Sequence, residues 1–135
     1  MSLKITLKPH EKLIIGGAVV TNGDVKNDLI IENTVPILRE KDIMTCKEAD
    51  SPCRRIYLAI QLMYVDEKHI TDHHRAYWDL VKGVLRAAPS QRELISNMSE
   101  KILYNQYYQA LKLARKLIDY EQEVINRVRT STASL

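Results

Sequence analysis

Near residue 50 the hydrophobic period of this chain changes, and with it the kind of secondary structure the sequence can form. Before residue 50, apolar residues come in short runs: Ile5 and Leu7, Leu13-Ile14-Ile15, Val19-Val20, Leu29-Ile30-Ile31 and Pro36-Ile37-Leu38. Turn-forming residues separate them: Pro9-His10-Glu11, Gly16-Gly17, Asn22-Gly23-Asp24 and Glu32-Asn33-Thr34. Runs this short, punctuated this closely, predict antiparallel strands in a meander or small barrel. Asn22-Gly23 is the strongest hairpin signal, because both residues tolerate the positive φ of a tight turn.

After residue 50 the apolar residues recur at three and four, the spacing of a helix face. Ser51-Pro52 reads as an N-cap followed by Pro at the first helical position, where its missing N–H is not needed. Ile56, Leu58, Ala59, Leu62 and Met63 then form an apolar face up to about Asp66. Ile70, His74, Tyr77, Val81, Val84 and Ala88 mark a second helix, which Pro89 ends. Ser90-Gln91-Arg92-Glu93 has the form of a capping box. From there helical patterning runs through Leu94, Met98, Ile102, Leu111, Leu117, Val124, Ile125 and Val128. A single helix of that extent would be ~60 Å long, too long for so small a domain, so a break is expected near Asn105.

The predicted architecture is therefore α+β: a small N-terminal antiparallel β-module (residues 1–50), then a bundle of three to four amphipathic helices (51–130), then a disordered tail (131–135). A β-module of ~40 residues is too small to bury a core alone, so it is expected to pack on the helices or to pair with a second copy as a homo-oligomer.

Composition excludes several classes. The 45% apolar and 27% charged content is that of a globular chain. Two cysteines, Cys46 and Cys53, form no metal-type pair, and with no basic-then-apolar leader after Met1 the expected compartment is the cytoplasm. No run approaches the ~20 apolar residues of a membrane span, so no membrane association is expected. Gly16-Gly17 lacks a following Lys-Ser or Lys-Thr, and no nucleophile elbow or Cys/His pair stands in a catalytic context, so no enzymatic activity and no cofactor are expected.

The remaining candidates are binding residues. His69 and His73, four apart, could share a helix face as metal ligands, but Asp66-Glu67-Lys68-His69 reads more simply as a polar helix entry, and no metal is expected. Tyr104, Tyr107 and Tyr108 could stack on bases but more often make a helix-packing seam. Net charge is only +3, so an RNA footprint has to be a local patch. Residues 51–135 hold 13 basic against 9 acidic side chains, while residues 1–50 are balanced at 7 and 8. Arg39 and Lys41 alternate with Glu40 and Asp42, and Arg54-Arg55 open the first predicted helix. The simple reading of such a run is a solvated, self-paired surface.

Longer motifs carry a resemblance. Leu29-Ile30-Ile31-Glu32-Asn33, Pro36-Ile37-Leu38-Arg39-Glu40-Lys41-Asp42-Ile43-Met44, Arg54-Arg55-Ile56-Tyr57-Leu58-Ala59-Ile60-Gln61-Leu62-Met63 and Tyr107-Tyr108-Gln109-Ala110-Leu111-Lys112 resemble the signature of the FlbT family of flagellar regulators, over nearly the whole chain. The family pattern also leads one to expect Gly or Asp near Asn105-Gln106, and this chain has neither. The resemblance implies a post-transcriptional regulator that associates with the 5′ untranslated region of flagellin mRNA and represses translation or promotes decay. It also implies FlaF, a small protein acting with or against the regulator, as a partner. The alternative is a protein-interaction adaptor that binds FlaF or flagellin and affects the mRNA only indirectly.

A second similarity, to the carbon-storage regulators, lies in Thr6-Leu7-Lys8-Pro9-His10-Glu11-Lys12-Leu13-Ile14-Ile15-Gly16 and in Leu38-Arg39-Glu40-Lys41-Asp42-Ile43. By that parallel Arg39 projects from a sheet edge, free to reach RNA, and Lys8 keeps half of a basic pair. The expected RNA-binding residues are Arg39, Lys41, Lys8, Arg54 and Arg55.

Overall fold

The computed structural model of the chain describes residues 2–133, with side chains as far as Ser131. Five strands precede four helices, in the α+β order that the change of period predicts: β1 (Leu3–Leu7), β2 (Lys12–Ile15), β3 (Ala18–Thr21), β4 (Asn27–Ile31), β5 (Ile37–Arg39), α1 (Pro52–Val65), α2 (Ile70–Ala87), α3 (Arg92–Leu103) and α4 (Tyr107–Ala133). No described helix is long and apolar enough to cross a membrane. The chain divides into two units, one of residues up to Ile43 with Val65–Glu67, the other of Met44–Tyr64 with Lys68 onward.

The first unit holds two antiparallel sheets rather than one meander. β1 pairs with β4 from Leu3↔Ile31 to Leu7↔Asn27. The other sheet has the order β3-β2-β5, with Leu13↔Val20 and Leu13↔Arg39 in register. Ile5, Leu7 and Leu13 form a buried core, with Ile15, Leu29, Ile31 and Ile37 packed against it. The two-residue hairpin is at Gly16-Gly17, between Ile15 and Ala18, and Gly16 adopts φ +57.

The Asn22-Gly23 expectation needs correction. Those residues link β3 to β4, which lie in different sheets, so they form no tight hairpin. The Asn22 side chain works as a hub: its Nδ2 donates to the carbonyls of Leu7, Lys8 and Val25, and its Oδ1 accepts from Gly23 N and Asn27 Nδ2. Asn is suited to this because its amide both donates and accepts.

The second unit is helical. α1 begins at Pro52 as expected, with Ser51 Oγ accepting from Arg54 N at the cap. Its buried face is set differently from the expected one: Tyr57, Ile60 and Gln61 are buried with Ile56, Ala59 and Met63, while Leu58 and Leu62 are only half-buried. Gln61 bridges Met44, accepting from its N–H at 2.7 Å and donating to its carbonyl at 3.0 Å. Met98, Ile102, Ala110, Ala114 and Leu117 bring α3 and α4 together in the core.

The break between α3 and α4 falls at Asn105, whose φ is +59. Asn tolerates the left-handed conformation that usually calls for Gly, which accounts for the missing Gly. The capping-box reading of Ser90 does not hold. Pro89–Gln91 form a 3-10 turn, and Gln91 precedes α3 without a side-chain cap. α4 runs to Ala133, past residue 130, so 131–133 of the expected tail are helical; residues 134 and 135 lie outside the described residues.

Candidate nucleic-acid interface

Three of the expected RNA-contacting residues come together in the first unit. A depression of about 410 Å³ is lined by Lys8, Pro9, His10 and Glu11 from the β1–β2 turn, by Arg39 at the end of β5, and by Glu40 and Lys41 in the 3-10 turn that follows it. The turn is built to present these groups. Lys8 N donates to Glu11 Oε1 at 2.9 Å, Glu11 N donates to the Lys8 carbonyl at 3.1 Å, and His10 N donates to the Gly23 carbonyl at 3.0 Å. His10 adopts φ +64, a left-handed conformation uncommon outside Gly that Asn, Asp and His take more readily than other residues.

β5 is an edge strand, as the sequence reading has it, but Arg39 is not free. Its Nη2 donates to the Thr6 carbonyl at 2.7 Å and pairs with Glu11 Oε2 at 3.2 Å, with 41% of the Arg39 side chain and 13% of Glu11 exposed. The Lys8 N–H, first, and then the Arg39 guanidinium hold the Glu11 carboxyl below its ordinary pKa, while burial works the other way. Arg39 therefore ties β5 to β1 and to the turn, an order that favours a positioning role over a probing one. Glu40 is also engaged, accepting from Lys12 N at 3.3 Å.

With Glu11 paired to Arg39, the outward charge of the depression is set by Lys8 and Lys41 against the exposed Glu40 carboxylate. Lys8 and Lys41 are exposed, with no ion-pair partner among the described residues. His10 Nε2 stands 3.3 Å from Asp24 Oδ1 at the surface. Lys4, close by in sequence, is paired with Asp28 at 3.5 Å.

Arg54 and Arg55 lie in the other unit, on the first turn of α1. Arg54 pairs with Asp50 at 3.1 Å, while Arg55 is exposed. Among the tyrosines, Tyr107 meets Tyr64 at 6.3 Å between ring centroids, the packing seam of the simpler reading. Tyr104 and Tyr108 remain exposed, and Lys112 Nζ sits 4.8 Å over the Tyr108 ring. His69 and His73 stack edge-on at 6.4 Å, and no group of three His, Cys, Asp or Glu side chains among the described residues is placed to hold a metal. Sequence reading missed Glu11, Thr6 and Asn22 as organisers of the site. The signal for Glu11 was its spacing of three from Lys8 across a Pro-containing turn.

A family model described as "Flagellar protein FlbT" matches residues 3–125. A probable flagellum biosynthesis repressor protein FlbT 1 of Bradyrhizobium diazoefficiens is 45% identical over 125 residues, 92% of this chain and 85% of that protein. The probable flagellum biosynthesis repressor protein FlbT of Rhodopseudomonas palustris (strain TIE-1) is 41% identical over 127 residues, 94% of this chain and all of that protein. The flagellum biosynthesis repressor protein FlbT of Caulobacter vibrioides is 36% identical over 137 residues, 99% and 96% of the two chains. No solved structure matches. With a match across most of its length and relatives this similar, the chain belongs to the FlbT family of flagellar proteins.

Proposed function

We propose that this chain is a cytoplasmic post-transcriptional regulator of flagellin synthesis that binds the 5′ untranslated region of flagellin mRNA and represses its translation or promotes its decay. The family is one of regulatory repressors, and the chain is not an enzyme. The observation that carries the RNA reading is the meeting of Lys8 and Lys41, far apart in sequence, beside Arg39 on one depression. Two exposed ammonium groups beside a half-buried guanidinium suit the phosphates of a single strand, whose bases can splay onto a sheet edge. Lys8 and Lys41 supply the phosphate contacts, Arg39 holds the strands that present them, and Arg55 with Arg54 offers a second basic point on α1.

A second reading, an adaptor for FlaF or flagellin, draws support from an apolar groove in the helical unit. Direct binding separates the two. Lys8→Glu with Lys41→Glu is expected to weaken binding to a flagellin leader at least roughly tenfold per folded molecule, since each phosphate contact carries part of the affinity. Unchanged binding by a folded double variant would show that RNA does not contact this surface.

A further inference from the structure

The helical unit leaves open a groove of about 470 Å³ between α2 and the second half of α4, with the start of α1 at one end. Three observations bear on what fills it. First, the apolar stripe of α4 does not stop where the core stops. Leu117 is fully buried, Val124 and Ile125 are half-buried in the groove wall, and Val128 is 60% exposed. Second, the charged side chains lining the groove, Asp79 and Glu121, are both acidic. Glu121 is satisfied, accepting from the Ser51 hydroxyl and from Cys53 N at 3.1 Å. Asp79 is exposed and has no cationic partner among the described residues. Third, Gly83 lies mid-helix on the groove wall, and a Cβ built there would meet nothing within 4 Å. A helix-interior glycine weakens its helix, and here no packing within the unit requires it. It leaves room for a close approach from outside.

The occupant must then offer an apolar ridge with a cation beside it. The chain carries that ridge itself. Val124, Ile125 and Val128 run along α4, followed by Arg129, exposed and without a carboxylate partner among the described residues, whereas Arg127 is paired with Glu123. A surface that holds both groove and ridge can close a two-fold interface, in which each contact is made twice. Antiparallel pairing of two α4 helices, centred between Val124 and Ile125, sets Arg129 of one copy level with Tyr120 of the other. Tyr120 shares the groove wall with Asp79. We infer that this groove is the dimerisation surface of the chain, filled by α4 of a second copy, with Arg129 of each copy meeting Asp79 of the other.

Sedimentation of the full chain over a range of concentrations tests this. The wild type is expected to be a dimer at tens of micromolar. Asp79→Arg and Arg129→Glu should each weaken the dimer about five- to tenfold, because the pair occurs twice in the interface. Combining them should restore most of the loss. Gly83→Leu should weaken the dimer by filling the groove while the helical content and Tm of the monomer hold or rise, since a Cβ at that position meets nothing within 4 Å and Leu is the better helix former. A wild type that stays monomeric overturns the inference and leaves the groove to a foreign helix. A dimer indifferent to Gly83→Leu, or a double charge variant no better than the singles, overturns it as well.

Discussion

Arg39 shows how a residue can be picked out correctly and still be misjudged in role. Its position in the last strand before the helices was legible, and so was its place among basic side chains. Its engagement was not, because Thr6 and Glu11 reach it across a pairing register that no local pattern encodes. Arg39→Ala should cost about 1–2 kcal/mol in urea unfolding, the loss of one charge-assisted bond to a carbonyl and one partly exposed ion pair. A variant as stable as the wild type would contradict this role. Glu11 sets a pH dependence whose sign follows from its lowered pKa. A depressed carboxyl stabilises the fold above its unfolded pKa, and that contribution fades as pH falls through the lower folded value. Glu11→Gln should therefore lose less stability on acidification than the wild type. Parallel acid limbs would exclude the effect. The two cysteines separate in the same way. Burial, and then the nearby Glu121 carboxylate, push the Cys53 thiol up to about 12, while Cys46 is exposed. Iodoacetamide at neutral pH should label Cys46 in the native protein and Cys53 only after unfolding. Equal rates would mean that the start of α1 opens readily.

At the scale of elements, the strongest sequence signals were those that depend on neighbours in the chain. Ser51-Pro52 starts α1, Pro89 stops α2, and Asn105 divides the long apolar stripe, each by a backbone requirement the residue itself imposes. Signals that depend on distant partners were invisible or misleading. Asn22-Gly23 has the composition of a hairpin turn but serves as a hub between sheets, and Gly16-Gly17 makes the turn. Ser90 has the composition of a capping box, but Pro89 draws it into a 3-10 turn. Gln61 is absent from the expected apolar face of α1, yet it is buried, and both ends of its amide are used on Met44. Gln61→Leu leaves a buried N–H and a buried carbonyl unpaired, so it should cost about 2–4 kcal/mol in chemical unfolding. A loss well under 1 kcal/mol would mean that water takes over both bonds. Glu121 adds to α1 from 68 residues away, accepting the Cys53 N–H that the Ser51 cap leaves over.

For the molecule as a whole, the order of strands and helices was legible because hydrophobic period is a local property. The division of the strands into two sheets was not, since it rests on which strands meet. The candidate RNA site follows the same rule: Lys8, Arg39 and Lys41 could each be named in sequence, and only the fold gathers them on one depression. Charge of this modest amount implies a binding mode that salt weakens measurably without abolishing specificity. Direct RNA binding is tested by titrating binding to a flagellin leader against salt, beside a scrambled RNA of equal length. A binder through this surface prefers the leader and shows a log–log slope near −1.4, from about two phosphate contacts at roughly −0.7 each on a single strand, with the Lys8→Glu and Lys41→Glu variant losing most of that slope. Equal, weak binding to both RNAs at every salt concentration would contradict direct recognition of the leader and leave regulation to a protein partner.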